Sequence, residues 1–329
     1  MEVRRFFSRT HMEHGRSTLA LFLLGAVVLA VAAAVGVAWI VGFGALLDRV
    51  ADAHGWWLLA ALGGEAVAYL GYIAAYREVA RVDRGPHIPP GDAAALVSTG
   101  FGPFVMQGGF AVDLHAFKDY CESEREARVR VLGLGALEYA LLAPAACVAS
   151  ILLLVEGSHH PNDGITLPWA IAVPLGFIGA LWAVEHRGRF RGHGGWREAL
   201  AQALDSIHVL RLLFIRWRDH LAGPVGTALY WFGDIFCLWA CLRAFEGSSP
   251  GIAQLVVGYA TGYALTRRTL PFAGAGAVEA LLPFALLWTG FPLASALLGV
   301  FAYRFFNLWL PVLPAALGLR RLRRAVEAA

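Results

Sequence analysis

Long apolar runs alternate with short polar stretches along the chain. Six runs contain about 20 or more mainly apolar residues, the length that an α-helix needs to cross a hydrocarbon core ~30 Å thick. These runs are Leu19–Leu47, Trp56–Tyr76, Leu132–Val155, Ile165–Val184, Ala222–Phe245 and Pro292–Leu319. The pattern predicts an all-α polytopic membrane protein, with residues 1–329 forming a single integral membrane domain.

Three further apolar segments are too short or too interrupted to cross a membrane comfortably. Ala93–Val112 is broken by several glycines and by Pro103, whereas Ile252–Leu265 and Ala277–Thr289 are short. Irregular backbone at membrane depth is tolerated only where protein or a water-filled cavity satisfies its polar groups. We therefore expect 6 to 8 transmembrane helices, with one or two re-entrant broken helices.

The distribution of basic residues predicts the orientation of the chain. Four segments are rich in arginine, and the three loops that separate them carry only Arg49. The rich segments are Met1–Thr18, Arg77–Pro90, Glu185–Leu221 and Arg320–Ala329; the poor loops are Asp48–Gly55, Glu156–Gly164 and Glu246–Gly251. Because cytoplasmic loops carry an excess of Lys and Arg, both termini are expected in the cytoplasm, in a multi-pass protein of the inner cell membrane. This orientation requires Ala93–Val112 to enter and leave from the cytoplasmic side.

The two glycine-rich segments share an order of residues. "TGFGPFVMQGGFAVD" (Thr99–Asp113) and "TGYALTRRTLPFAGAGAVE" (Thr261–Glu279) both run from Thr-Gly-aromatic through Pro-Phe and glycines to Val and an acid. Entry from opposite sides of the membrane would make this an inverted repeat, with halves at residues 19–155 and 165–319. Two alternatives stay open: the segments resemble one another only in composition, or residues 252–289 form two short crossings and not one re-entrant hairpin.

Trp196–Leu221 joins the two halves and is not an apolar span. Its arginines interleave with leucine, isoleucine and aromatic residues. This mixture is typical of a helix in the cytoplasmic interface, with its arginines near lipid phosphates. A plain structural elbow between the halves explains the pattern equally well.

Composition restricts the function classes. Hydrophobic residues make up 58% of the chain and charged residues 16%, and the net charge is only +3, so nucleic acid is not an expected partner. The four cysteines form no Cys-x-x-Cys pair, and no nucleophile elbow, P-loop or nucleotide fingerprint occurs. The sequence therefore predicts neither a bound metal or cofactor nor a catalytic activity.

Charged residues inside the apolar segments are the candidate functional residues. A charge in hydrocarbon is costly unless it is paired or faces a cavity. The candidate cavity residues are Glu65, Asp113, Asp234, Glu279 and Asn307. They either line a functional cavity or only pair with arginines to hold helices together.

Three arginines, Arg267, Arg268 and Arg304, are the candidates for binding a lipid headgroup. A guanidinium makes a planar, bidentate contact with phosphate. Gly274 and Gly276 would let backbone amides approach the same anion. The helix predicted to start near residue 277 would direct its positive end toward it.

Leu270–Leu319 carries the most specific motif in the chain. Its distinctive positions are Pro271, Gly274, Gly276, Glu279, Gly290, Pro292, Tyr303, Arg304, Trp309, Leu310 and Pro311. The pattern resembles the last signature of the lysylphosphatidylglycerol synthetase transmembrane region, the flippase part of the multiple peptide resistance factor. The chain departs from it at Phe272-Ala273, where the family has glycines. The resemblance implies a stand-alone protein that moves or handles lipids, and it adds Tyr303 to the cavity residues.

The expected function is translocation of an anionic phospholipid or a lipid-linked phosphate across the cytoplasmic membrane. The alternative is a membrane enzyme or accessory subunit that acts in lipid or glycolipid modification without transport. The expected partners are the anionic lipid and either a second copy of the chain or a separate lipid-modifying enzyme.

Overall fold

A computed structural model describes residues 16–101, 113–114, 117–118, 120–156, 163–186, 188, 195–216, 218–245, 250–264, 270 and 274–314. In these ranges the chain is helical and contains no strand. The α-helices are α1 Arg16–Val41, α2 Phe43–Ala51, α3 Trp56–Arg81, α4 Pro90–Phe101, α5 Glu124–Glu156, α6 Asp163–Glu185, α7 Gly195–Ile215, α8 Ala222–Phe245, α9 Ile252–Tyr259, α10 Ala277–Trp288 and α11 Leu293–Arg304.

Within the described ranges, six helical segments are long and apolar enough to cross a membrane. They are Leu23–Val41, Trp56–Arg84, Glu124–Glu156, Asp163–Glu185, Ala222–Phe245 and Leu293–Pro314. Each coincides with one of the six apolar runs of the sequence. The prediction of an all-α polytopic membrane protein is therefore confirmed.

The helix that forms the first candidate span ends before the apolar run Leu19–Leu47 does. α1 ends at Val41 because Gly42 adopts φ 91°, a conformation that side chains with a Cβ rarely accept. α2 then starts at Phe43 and buries Leu46 on one face. It also contains the charged residues Asp48 and Arg49. Hydropathy alone does not reveal this break because the residues on both sides of Gly42 are apolar.

α3 and α8 pack against each other at backbone distance. A Cβ added to Gly71 would lie 2.5 Å from the carbonyl oxygen of Gly226, and one added to Gly233 would lie 2.4 Å from that of Gly64. Since Gly64 faces Gly233 and Gly71 faces Gly226, the two helices are antiparallel. Small residues permit such close approach in membranes, where van der Waals contact drives helix association.

α9 and α10 also form an antiparallel pair. Gly258 lies against Leu286 and Gly262 against Leu282, and the Gln254 side chain donates to the Thr289 carbonyl at 2.7 Å. α9 continues as a π-helical turn, Ala260–Ala264, before the pair is joined through a segment that lies mostly outside the described residues.

The remaining predicted segments are helical where the structure describes them. α4 covers the first part of Ala93–Val112, and residues 102–112 lie outside the described ranges. α7 confirms a helix within Trp196–Leu221 but ends at Ile215, earlier than predicted. Its location in the membrane interface stays a prediction.

The end of α3 is capped by a side chain from α5. Nη1 of Arg130 donates to the carbonyls of Val79, Ala80 and Val82 at 3.1, 2.6 and 2.9 Å, while Nη2 pairs with Glu126 at 2.7 Å. Val79 and Ala80 belong to the last turn of α3, whose carbonyls have no intrahelical donors. Val82 follows the helix, and its carbonyl also accepts from the Gly85 amide at 3.1 Å. Arg130 therefore satisfies the end of α3 and joins it to α5.

Candidate functional site: a buried polar network

Four helices bring their polar side chains together inside the bundle. We call this group the Asp234 network; each member has a relative exposure of 3% or less. Its members are Asp234 from α8, Tyr259 and Tyr263 from α9 and its π turn, Glu279 from α10, and Tyr303, Arg304 and Asn307 from α11 and its extension.

Asp234 accepts hydrogen bonds from three side chains. The Tyr303 hydroxyl and Nδ2 of Asn307 each donate to Oδ1 at 2.9 Å. The Tyr259 hydroxyl donates to Oδ2. Both carboxyl oxygens are thus satisfied without water, which is what a buried carboxyl group requires.

Asn307 connects the two charged parts of the network. Its Oδ1 accepts from the Tyr263 hydroxyl at 2.7 Å and from Nη1 of Arg304 at 3.4 Å, while its Nδ2 donates to Asp234. An amide can do this because it carries both an acceptor and two donors. Arg304 and Asp234 are therefore connected through one side chain.

Arg304 and Glu279 form a buried ion pair. Nε of Arg304 lies 2.8 Å from Oε1 of Glu279, and both side chains are at most 2% exposed. The other carboxylate oxygen, Oε2, accepts from the Gly276 amide at 2.7 Å. Gly276 adopts φ 84° and precedes α10, so this amide and the positive helix end both point at Glu279. The guanidinium also stacks over Tyr263, 5.9 Å from the ring centroid.

Two π-helical turns place the network residues. Tyr263 lies in the turn Ala260–Ala264, and Asn307 lies in a second turn, Phe305–Trp309. A π turn contains an extra residue relative to an α turn, which rotates the side chains that follow it. Side chains from outside support the first turn, since the Tyr139 hydroxyl donates to the Ala264 carbonyl at 2.7 Å and the Trp169 indole donates to Thr261 at 2.9 Å.

Several predicted site residues meet in this network. The structure brings Asp234, Glu279, Tyr303, Arg304 and Asn307 together. Glu65, on α3, is buried beside the network and interacts electrostatically with Tyr263 and Tyr303.

Other predicted site residues are placed differently. Asp113 is buried and lies near Tyr76. Gly274 adopts φ 72° ahead of α10, as a tight turn requires. Arg267 and Arg268 lie outside the described residues.

Sequence reasoning missed Tyr259, Tyr263 and Glu138. The two tyrosines have helical i, i+4 spacing in a short apolar segment, a pattern that usually indicates core packing. Glu138 is a carboxyl group inside an apolar run and only 2% exposed, so the rule that selected Glu65 would have selected it.

The chemistry of the network is that of anion and cation pairing. In the described part of the chain, no three His, Cys, Asp or Glu side chains come together as a metal ion would require. The network contains two carboxyl groups, one guanidinium and three tyrosine hydroxyls. These groups do not include a reactive nucleophile paired with a base. The arrangement can bind a charged group or exchange one anion for another.

Comparison with protein-family models and with curated proteins gave no match. The resemblance of Leu270–Leu319 to the lipid-flippase family thus rests on the sequence motif alone.

Proposed function

We propose that the protein translocates an anionic phospholipid or a lipid-linked phosphate across the membrane, with Arg304 as the phosphate-binding residue. The observation that carries the proposal is the donor set around the Glu279 carboxylate. A guanidinium, the Gly276 amide and the N-terminal end of α10 converge on this one anion. Such a set also suits a phosphate oxygen at a helix N-terminus.

In this mechanism Glu279 holds the anion position while no lipid is bound. A lipid phosphate that reaches Arg304 displaces the carboxylate and takes over its donors, and Glu279 returns when the lipid leaves. Arg304 then faces an anion at every stage, which avoids the cost of an uncompensated buried charge. Arg267 and Arg268, which are close in sequence to Gly274, are proposed to guide the headgroup toward it.

The order of elements supports an inverted repeat. In the described ranges, each half contains a long apolar helix, a helix that is not a candidate span, a second long helix, and a third long helix that follows a glycine-rich segment. α1 to α5 form one half, with the short helix α4 at this segment, and α6 to α11 form the other, with α9 and α10 there. With three crossings per half, the second half starts on the opposite side of the membrane. Broken segments of such repeats meet at the substrate site.

The antiparallel packing of α3 and α8 supports a re-entrant α4. If only α5 and α6 cross between them, α8 runs opposite to α3; a crossing by α4 as well would make the two helices parallel. α4 has 12 residues and spans roughly 18 Å, short of a ~30 Å hydrocarbon core. This path keeps both termini on the cytoplasmic side of the inner membrane.

A repeated spacing gives further support. Gly64 and Gly71 on α3 correspond to Gly226 and Gly233 on α8, and each first glycine precedes a Thr-Gly-aromatic sequence by 35 residues (99 − 64 and 261 − 226). Shared composition does not explain why a packing glycine and a broken segment keep the same separation.

A scrambling assay in reconstituted vesicles tests the proposal. Arg304→Leu should abolish movement of fluorescent phosphatidylglycerol, and Arg304→Lys should lose most of it because an ammonium lacks the planar fork. Arg128→Leu is the matched control, since Arg128 is a half-exposed arginine at the end of α5.

Three outcomes are informative. A folded Arg304→Leu protein that still moves lipid at the normal rate would remove Arg304 from the mechanism. Chemical conversion of the lipid by the purified protein in detergent, without vesicles, would favour the membrane enzyme instead. Activity of Glu279→Gln, which keeps an acceptor for the Gly276 amide, combined with loss in a folded Arg304→Leu would support phosphate binding over a purely structural ion pair.

A further inference from the structure

A cavity of about 130 Å³ lies where the C-terminal end of α3 meets the N-terminal end of α8. None of its lining residues belongs to the Asp234 network. They are Ala74, Arg77, Glu78, Arg81, His87 and Ala222. At ~30 Å³ per molecule, the cavity has room for about four waters, which is also enough for a small oxyanion.

Arg77 is a charge in this cavity that no described residue balances. Its Nε donates to the backbone carbonyl of Ile88 at 3.0 Å, which fixes the plane of the guanidinium. Among the described residues, no carboxylate lies within ion-pair distance of Arg77. The outer edge of the guanidinium, with its two Nη groups, is the part suited to a bidentate contact with an anion.

The one acid in the cavity is already paired. Oε1 of Glu78 accepts from Nη2 of Arg81 at 2.9 Å and lies 2.6 Å from Nδ1 of His220. Arg81 is also held by the carbonyl of Asp219 at 3.0 Å. Glu78 therefore orients Arg81 and does not neutralise Arg77.

We propose that this cavity is a binding site for a phosphate group, with Arg77 and Arg81 as its ligands and His87 at its exposed rim. Ala222, the first residue of α8, forms one wall, so the positive end of that helix adds to the potential. Arg77 and Arg81 lie in the last two turns of a candidate span, where long basic side chains reach the headgroup region. The phosphate can come from a lipid headgroup or from a soluble anion.

Binding to the full-length protein in detergent micelles tests this site without reference to transport. Thermal unfolding would be followed in titrations with inorganic phosphate and, separately, with dihexanoyl phosphatidylglycerol, at an ionic strength kept constant with chloride. Arg77→Gln should weaken binding of the phosphate-bearing ligand at least tenfold, and Arg77→Lys should keep part of it because charge remains without the fork. His87→Ala, at an exposed position, should weaken binding less.

Arg128→Gln serves as the control, because Arg128 is a half-exposed arginine paired with Glu124 on α5, outside the cavity. Loss of both ligands in Arg77→Gln alone supports one phosphate site open to either source. Loss of only one ligand supports the site and identifies that source.

Two results would overturn the proposal: no binding of either ligand to the unaltered protein, or binding that Arg77→Gln and Arg128→Gln reduce equally. If Arg77→Gln does not fold, His87→Ala takes its place in the comparison with Arg128→Gln. Equal loss of ligand binding in these two variants would then overturn the proposal. Because Arg304 is absent from this cavity, failure of the lipid-movement assay for Arg304 variants leaves this test unchanged.

Discussion

The Arg304–Glu279 pair predicts a large, non-additive effect on stability. Replacing one partner by leucine leaves a buried charge without its counterion, which costs about 3–5 kcal/mol. Glu279→Leu should be the more damaging change, since it also leaves the Gly276 amide without its acceptor, at a further ~1–3 kcal/mol. Arg304→Leu keeps that bond but removes the contact to Asn307.

The double variant Arg304→Leu/Glu279→Leu should recover much of the loss, because two apolar side chains replace two charges in an apolar site. Unfolding in mixed detergent and sodium dodecyl sulfate micelles gives the four free energies of a double-mutant cycle. A coupling energy of at least about 3 kcal/mol is expected, because the double variant should be less destabilised than either single variant. The half-exposed pair Arg128–Glu124 should show little coupling in the same assay. A coupling below about 0.5 kcal/mol for Arg304 and Glu279 would refute a buried pair.

Three further predictions concern the contact between α3 and α8, the end of α3, and Cys121. Gly71→Ala should destabilise by about 1–3 kcal/mol, because its Cβ would meet the backbone of α8 at 2.5 Å, whereas Gly63→Ala, with nothing within 4 Å, should be neutral or stabilising by thermal unfolding. Arg130→Leu should cost about 1–3 kcal/mol and increase proteolysis at the end of α3, since the carbonyls of Val79 and Ala80 lose the Arg130 donor; unaltered cleavage would contradict the cap. Burial raises the pKa of Cys121 from 9.0 to about 11, so its thiolate is roughly 100-fold scarcer at pH 8 and maleimide labelling should rise with pH until about 11. A plateau near pH 9 would contradict that pKa.

The sequence predicts the number and position of the spans because the length of an apolar run is nearly all that crossing a membrane demands. It does not predict the break at Gly42, where both neighbouring helices are apolar and only the backbone angle changes. The sequence does predict that Glu279 lies beside Arg304. Charges in apolar segments need partners, since an isolated guanidinium at that position is too costly.

The rest of the network depends on contacts that sequence periodicity does not contain. Tyr263 and Asn307 reach each other because two π turns rotate them, and the first turn is held by residues as distant in sequence as Tyr139. Tertiary packing, and not local propensity, therefore decides which tyrosines join Asp234.

The glycine contacts between α3 and α8 restrict how the molecule can change shape. A Cβ added to one of the facing glycines would lie 2.4–2.9 Å from atoms of the other helix. The two helices cannot slide past each other without first separating, since the carbonyls of one lie in the grooves of the other. α3 and α8 therefore form a rigid unit to which each half of the chain contributes one helix. If the protein moves lipid as proposed, the opening around Arg304 should therefore leave the contact between α3 and α8 intact.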